Sequence, residues 1–180
     1  PKPPKPSPER REAELSSRLL KHWREAVPND RMAHLIKDTA RSYLRSLQAR
    51  LAVHGVSLGH WTYLRILWEH DGLTQRELSQ EAGVMEPTTF AAIRSMEALG
   101  YVVREQREGN RKNNYVVLTP AGKALKRQLV PLAEEVNALA AADLSEEEIA
   151  TTRRCLLVML SNLARDPQIG DGSGGVPDGL

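Results

Sequence analysis

The segment LTQRELSQEAGVMEPTTFAAIRSMEALGYVVREQREGNRKNNYVVLTP, residues 73–120, decides how this chain folds. Thr74 followed by Glu77 has capping-box spacing, in which each residue satisfies an amide the helix start leaves orphaned. Leu78 and Ala82 give that first helix a buried side, and Gly83 supplies a residue able to turn the chain at its C-cap. A second helix is expected from Glu86-Pro87, because proline in a first turn forfeits no hydrogen bond. Phe90, Ile93, Met96 and Leu99 recur at helical spacing and are expected to form its core face, with Gly100 as the stop. Thr88, Thr89 and Ala91 are expected on its exposed face, with Arg94 one turn further on. Short side chains allow close approach to base edges, and Arg94 can reach a phosphate or a guanine.

Residues 101–103 (YVV) and 115–118 (YVVL) are β-branched and aromatic runs that read as paired strands. The polar stretch between them contains Gly109-Asn110 and Asn113-Asn114, both suited to turns that need positive φ. Arg107, Arg111 and Lys112 are expected near its tip, where a hairpin touches phosphate or a narrow minor groove. Helix, turn, helix and basic hairpin in that order describe a winged helix-turn-helix. Such a module can also serve protein contacts alone, so the order by itself leaves that alternative open.

These motifs carry a family resemblance. LTQRELSQEAG, the Pro-Thr-Thr start of the second helix, MEALGYVVRE and an Arg-bearing wing closing on VVLTPAG resemble the MarR family of bacterial transcriptional regulators, over residues 32–163. The resemblance implies a DNA-contacting set of Thr74, Gln75, Pro87, Thr88, Thr89, Ala91, Arg94, Arg107, Asn110, Arg111 and Lys112. One position departs from the family pattern. Its wing usually carries an Asp two residues before its second Arg, with an Arg between them; here the positions read Asn110-Arg111-Lys112, so Arg111 loses that carboxylate support.

The resemblance also implies a sensor. Family members commonly bind small aromatic acids where the dimerisation helices meet the winged domain. His60-Trp61 resembles the His-Trp pair of SlyA-type members, and Arg41 and Arg65 fall at pocket-lining positions. Trp61 has a ring that can stack on a flat ligand, an arginine can hold a carboxylate by paired hydrogen bonds, and His60 can donate to a phenolic oxygen or report pH. The plainer alternative is that Trp61 is core and that Arg41 and Arg65 are solvated or paired with acids such as Asp38 and Glu69. The longer run HWTYLRILWEHDGLTQRELS is similar to the nicotinate-catabolism repressors of the NicR/BpsR type, which implies a 6-hydroxynicotinate-like effector.

Outside the wing the chain is helical in pattern. Expected boundaries are a Pro/Lys-rich disordered arm at 1–8, N-terminal dimerisation helices over 9–56, the DNA-binding domain over 57–119, C-terminal dimerisation helices over 120–165 and a Gly/Pro-rich disordered tail at 166–180. Leu35, Ile36, Tyr43, Leu44, Leu47 and Leu51 stripe one long helix, and Leu125, Leu129, Leu132, Val136 and Leu139 another, which Pro131 is expected to bend. Ser145 and Glu148 repeat the capping box before a last helix. These helices offer more apolar surface than a small winged module covers. A homodimer is therefore expected rather than a monomeric helical cap, presenting two recognition helices about 34–36 Å apart to a palindromic double-stranded operator.

Composition bounds the remaining choices. The 180 residues are 41% hydrophobic with a net charge of +2, enough for a core but too little charge for binding by bulk electrostatics. Cys155 is the one cysteine, expected as a buried structural thiol in a reducing cytoplasm. No run reaches the ~20 apolar residues of a membrane span, and no signal-peptide pattern is present. The five histidines lack ligand spacing, and neither a phosphate loop nor a nucleophile elbow occurs, so neither an enzyme nor a metal or cofactor is expected. The rival reading is a winged-helix architectural or interaction module with no small-molecule effector.

Overall fold

A computed structural model describes residues 17, 18, 20, 21, 31–107 and 110–168, with the side chains of 107 and 110–113 outside that set. The expected arm at 1–8, most of residues 9–30 of the expected N-terminal helices and the tail beyond 168 lie outside the described residues. The elements are α1 (Met32–Ala52), α2 (Leu58–Glu69), β1 (Leu73–Thr74), α3 (Gln75–Ala82), α4 (Glu86–Ala98), β2 (Val102–Arg107), β3 (Asn110–Leu118), α5 (Pro120–Ala140) and α6 (Glu146–Leu163). The fold is mainly α with a small antiparallel sheet. No described helix is long and apolar enough to cross a membrane.

The chain divides into two compact units, Pro1–Leu44 and Arg45–Leu180. In the first, the described part of α1 leaves Met32, Leu35, Ile36, Tyr43 and Leu44 exposed. The second holds the core. Leu51, Leu64, Leu67, Leu78, Ile93, Met96, Val102, Val116 and Leu129 are wholly buried there, so α2 is packed by side chains from α3, α4, the sheet and α5.

Local signals place the helix ends. Ser57 Oγ accepts from His60 N at 3.1 Å and starts α2. Glu77 accepts from the Thr74 amide and hydroxyl, both at 2.7 Å, while Thr74 Oγ accepts from Glu77 N. Ser145 and Glu148 form the same box at α6. Gly83 and Gly100 close α3 and α4 with φ of 65° and 73°, a region that side chains with a Cβ rarely adopt. α5 runs unbroken through Pro131.

The sheet order is β1-β3-β2. β2 and β3 pair from Val102 with Leu118 to Arg107 with Asn110, with an irregularity between Gln106 and Arg107. The strands therefore run further into the polar stretch than the apolar runs suggested. β1 pairs Leu73 with Val116 and Thr74 with Tyr115, and sequence reading missed it because two residues cannot display an alternating pattern.

α5 is fastened where it leaves the sheet. Thr119 N donates to Tyr101 O at 3.0 Å, and Thr119 Oγ1 donates to Gly100 O at 2.6 Å and accepts from Gly122 N. Trp68 Nε1 donates to Gly122 O at 3.0 Å. Gly122 is buried so closely against the Tyr101 carbonyl that a Cβ there would collide with that oxygen. α6, by contrast, buries no side chain, and Ile149, Leu156, Leu157, Val158, Leu160 and Leu163 are all exposed. Cys155, expected to be buried, is only half-buried, on a helix none of whose residues is fully buried.

Gly122→Ala should lower stability by about 1–3 kcal/mol, since the backbone must move to admit the methyl group. Gly59→Ala, where the nearest neighbour is 3.7 Å away, should stay within about 1 kcal/mol of wild type. Chemical denaturation followed by circular dichroism measures both; equal effects would contradict the close approach at Gly122.

Candidate nucleic-acid interface

Rotation of α4 determines which side chains it offers. Thr89, Ile93 and Met96, at i, i+4 and i+7, are its wholly buried residues. Two expectations are corrected here. Thr89 was expected on the exposed face, yet it is 0% exposed and its Oγ1 lies 3.0 Å from the Tyr63 hydroxyl on α2. Phe90 and Leu99 were expected in the core, yet they are 44% and 48% exposed. The hydroxyl misled the reading: Thr89 is of aliphatic size and is admitted to the core because Tyr63 satisfies its polar atom. Phe90, about 100° further round the helix, is thereby turned outward.

Thr88, Ala91 and Arg94 are exposed, as expected, and so is Pro87. The turn before them is held by Ser79, which is buried and donates Oγ to Val84 O while Val84 N donates to Ser79 O. Arg94 makes no ion pair among the described residues; its guanidinium lies 5.9 Å from the Phe90 ring centroid. Arg104 on β2 lies 5.7 Å from the same ring and binds Glu97 of α4 through Nε at 2.9 Å and Nη2 at 2.8 Å. At the head of α3, Gln75 is half-buried and the Thr74 hydroxyl is already engaged in its cap. The expected wing residues Arg107, Asn110, Arg111 and Lys112 have side chains outside the described residues.

Each expected sensor residue has its own surroundings. His60 reaches α4, where its Nε2 is 3.1 Å from Ser95 Oγ, while its Nδ1 is buried without a hydrogen-bond partner. Burial pushes the imidazole below its ordinary pKa of 6.5. Trp61 is 8% exposed and packs edge-to-face on Trp68, ring centroids 5.7 Å apart, which is a core placement. Arg65 is exposed, with no ion pair among the described residues. Arg41, in the first unit, lies 3.9 Å from Asp38, the pairing considered from sequence. A groove of about 390 Å³ lies on α6, lined by Ala150, Arg153, Arg154, Leu157, Val158 and Ser161. Among the described residues no group of three His, Cys, Asp or Glu is placed to hold a metal.

Sequence reading missed Tyr63, Glu97 and Arg104. Arg104 had a legible signal: it shares the inward register of the buried Val102, and an inward charge on a strand requires a partner.

Comparison with known proteins follows the same outline. Residues 56–113 match the sequence profile of the MarR family. The crystal structure of the transcriptional regulator PA3341 is similar at 32% identity and a TM-score of 0.66, over 73% of this chain and 97% of that one. The HTH-type transcriptional regulator TtmR of Methylorubrum extorquens is 25% identical over 138 residues, 77% of this chain and 68% of its own length. The homoprotocatechuate degradative operon repressor of Escherichia coli is 25% identical over 137 residues, 75% of this chain and 90% of its own length.

Tyr63→Phe should cost about 1–3 kcal/mol by stranding the buried Thr89 hydroxyl, and adding Thr89→Val should restore most of it. Urea denaturation tests the pair, and simple additivity of the two losses would refute the coupling. For His60 the folded-state pKa lies below 6.5, so the unfolded chain binds more protons between the two values. Its contribution to stability is complete above 6.5 and declines as pH falls through the folded pKa. A melting series across that window should show a steeper acid-side loss for wild type than for His60→Gln; parallel curves would dismiss the histidine.

Proposed function

The chain belongs to the MarR family of transcriptional regulators, and on that premise we propose that it is a homodimeric repressor of palindromic promoter DNA. In this reading a small aromatic or heteroaromatic carboxylate, 6-hydroxynicotinate-like in ring and charge, releases it from the operator. The observation that carries the DNA half is the outward face of α4, where Pro87, Thr88 and Ala91 clear the approach and Arg94 has no carboxylate partner among the described residues. That face enters the major groove, and the β2–β3 hairpin, with Arg107, Asn110, Arg111 and Lys112, rests on the adjoining backbone. Such a protein works where the promoter is, in the cytoplasm, and carries out no catalysis.

Dimerisation is supported by α6, whose apolar Ile149, Leu156, Leu157, Val158, Leu160 and Leu163 are exposed in the single chain. Residues 9–56 and 120–165 supply the two-fold contact in this reading, and 57–119 the DNA reader. The effector half is supported by Arg65, exposed and without an ion pair among the described residues, and by the homoprotocatechuate degradative operon that the Escherichia coli relative's name records. Arg65 holds the carboxylate, His60 a ring substituent, and Trp61 offers the edge of an otherwise buried ring. His60 already touches Ser95 on α4, so a ligand drawing on it acts directly on the recognition helix.

Two measurements separate this reading from an effector-free architectural module. Sedimentation and fluorescence anisotropy should give a dimer that binds one selected palindromic duplex with a steep salt dependence. Heating with 6-hydroxynicotinate, salicylate and benzoate should raise the melting temperature with one of them. Saturation at a hundred times Kd contributes about 2.7 kcal/mol. Arg65→Ala should abolish that rise and the loss of DNA binding on effector addition, with operator affinity intact. Indifference to every acid leaves the architectural module, and a monomer indifferent to DNA rejects both.

A further inference from the structure

The chain's single phenylalanine is 44% exposed on α4. Leaving so large a ring at the surface forfeits hydrophobic stabilisation that its neighbours Thr89 and Ile93 obtain. Two guanidiniums lie against it, Arg94 at 5.9 Å and Arg104 at 5.7 Å from the ring centroid. The two are not equivalent. Arg104 spends its fork on Glu97, with bonds of 2.9 and 2.8 Å, so its charge is matched and its place between β2 and α4 is fixed. Arg94 has no ion pair among the described residues, and its charge is the unmatched one beside the ring.

We propose that Phe90 is a platform that holds Arg94 in position to read a guanine in the major groove, with Arg104 and Glu97 bracing that platform against the hairpin. The proposal rests on the DNA-binding reading above and names a specificity determinant within it. Phe90 and Arg94 are separated by one helical turn and are therefore surface neighbours. A guanidinium stacks through its face and donates in its plane, so contact with the ring leaves the donor edge open. A side chain held over the ring has fewer rotamers to lose on binding, which lowers the entropy cost of a specific contact. A paired-donor edge fits guanine O6 and N7, the commonest specific arginine contact in the groove. The adjoining outward residues Pro87, Thr88 and Ala91 are small, so the helix can come close enough for Arg94 to meet a base edge rather than the backbone.

The test begins with a duplex selected by the wild-type protein from a random pool, followed by substitution of each guanine in turn by 7-deazaguanine, which lacks N7. One guanine should be sensitive for wild type. Arg94→Ala should lose roughly tenfold or more on the selected duplex, and Phe90→Leu roughly three- to tenfold. Both should lose sensitivity to that 7-deazaguanine, while Phe90→Tyr, which keeps the aromatic face, should retain it. Random duplex should bind wild type and all three variants alike. A folding defect would weaken both duplexes together and would not erase sensitivity at one base. Equal losses on both duplexes would make Arg94 a phosphate contact and overturn the platform, as would unchanged 7-deazaguanine sensitivity in Phe90→Leu. Failure of the wild type to select any sequence would overturn the DNA-binding reading itself, and the platform with it.

Discussion

The orientation of α4 depends on what lies beneath it. Thr89, Ile93 and Met96 are wholly buried, and the Tyr63 hydroxyl meets Thr89 at 3.0 Å. Apolar burial alone tolerates some rotation of a helix, because the hydrophobic effect has no direction. A buried hydrogen bond does not, since breaking it strands two polar atoms. The Tyr63–Thr89 pair therefore acts as an index mark that fixes which residues α4 presents. Arg104 on Glu97 adds a second fixed point toward the hairpin, and Ser95 on His60 a third toward the start of α2. The outward set of Pro87, Thr88, Phe90, Ala91 and Arg94 follows from these three attachments together.

Charge is distributed in keeping with that precision. A net +2 over 180 residues cannot attract DNA strongly at long range. Among the described ion pairs, Arg50, Arg104, Lys123 and Lys126 are matched by acids within the fold. In the proposed reading recognition rests on a few correctly placed donors, and an index mark in the core keeps α4 turned to present them.

Much of this was legible because the signals were local. Both capping boxes, Ser57, the glycines at 83 and 100, and Thr119-Pro120 each announce an element boundary through chemistry confined to a few residues. What escaped reading was long-range. Whether a threonine is outward or core depends on a tyrosine 26 positions away, and nothing in the local pattern joins Tyr63 to Thr89. The same blindness placed Phe90 inside, since periodicity assigns a face by residue type and not by satisfied partners. β1 was invisible because its identity lies in its pairing with Val116 and Tyr115. The sensor residues were gathered by resemblance, and the geometry divides them: the His60 ring meets Ser95 and the Trp61 ring meets Trp68, because consecutive helical residues point about 100° apart.

The root of α5 carries a mechanical implication. Only Thr119 separates β3 from α5, and its side chain is bonded on both sides, while Gly122 is wedged against the Tyr101 carbonyl and bonded to Trp68. That junction is a weld, with no slack to absorb a twist. α5 has 21 residues, which at about 1.5 Å each makes an arm of about 31 Å. Tilting such an arm by one degree about its far end carries the root of the hairpin through about half an ångström. A tilt of a few degrees thus moves the hairpin by a good part of a hydrogen-bond length. Whatever grips the distal end of α5 sets the aim of the wing.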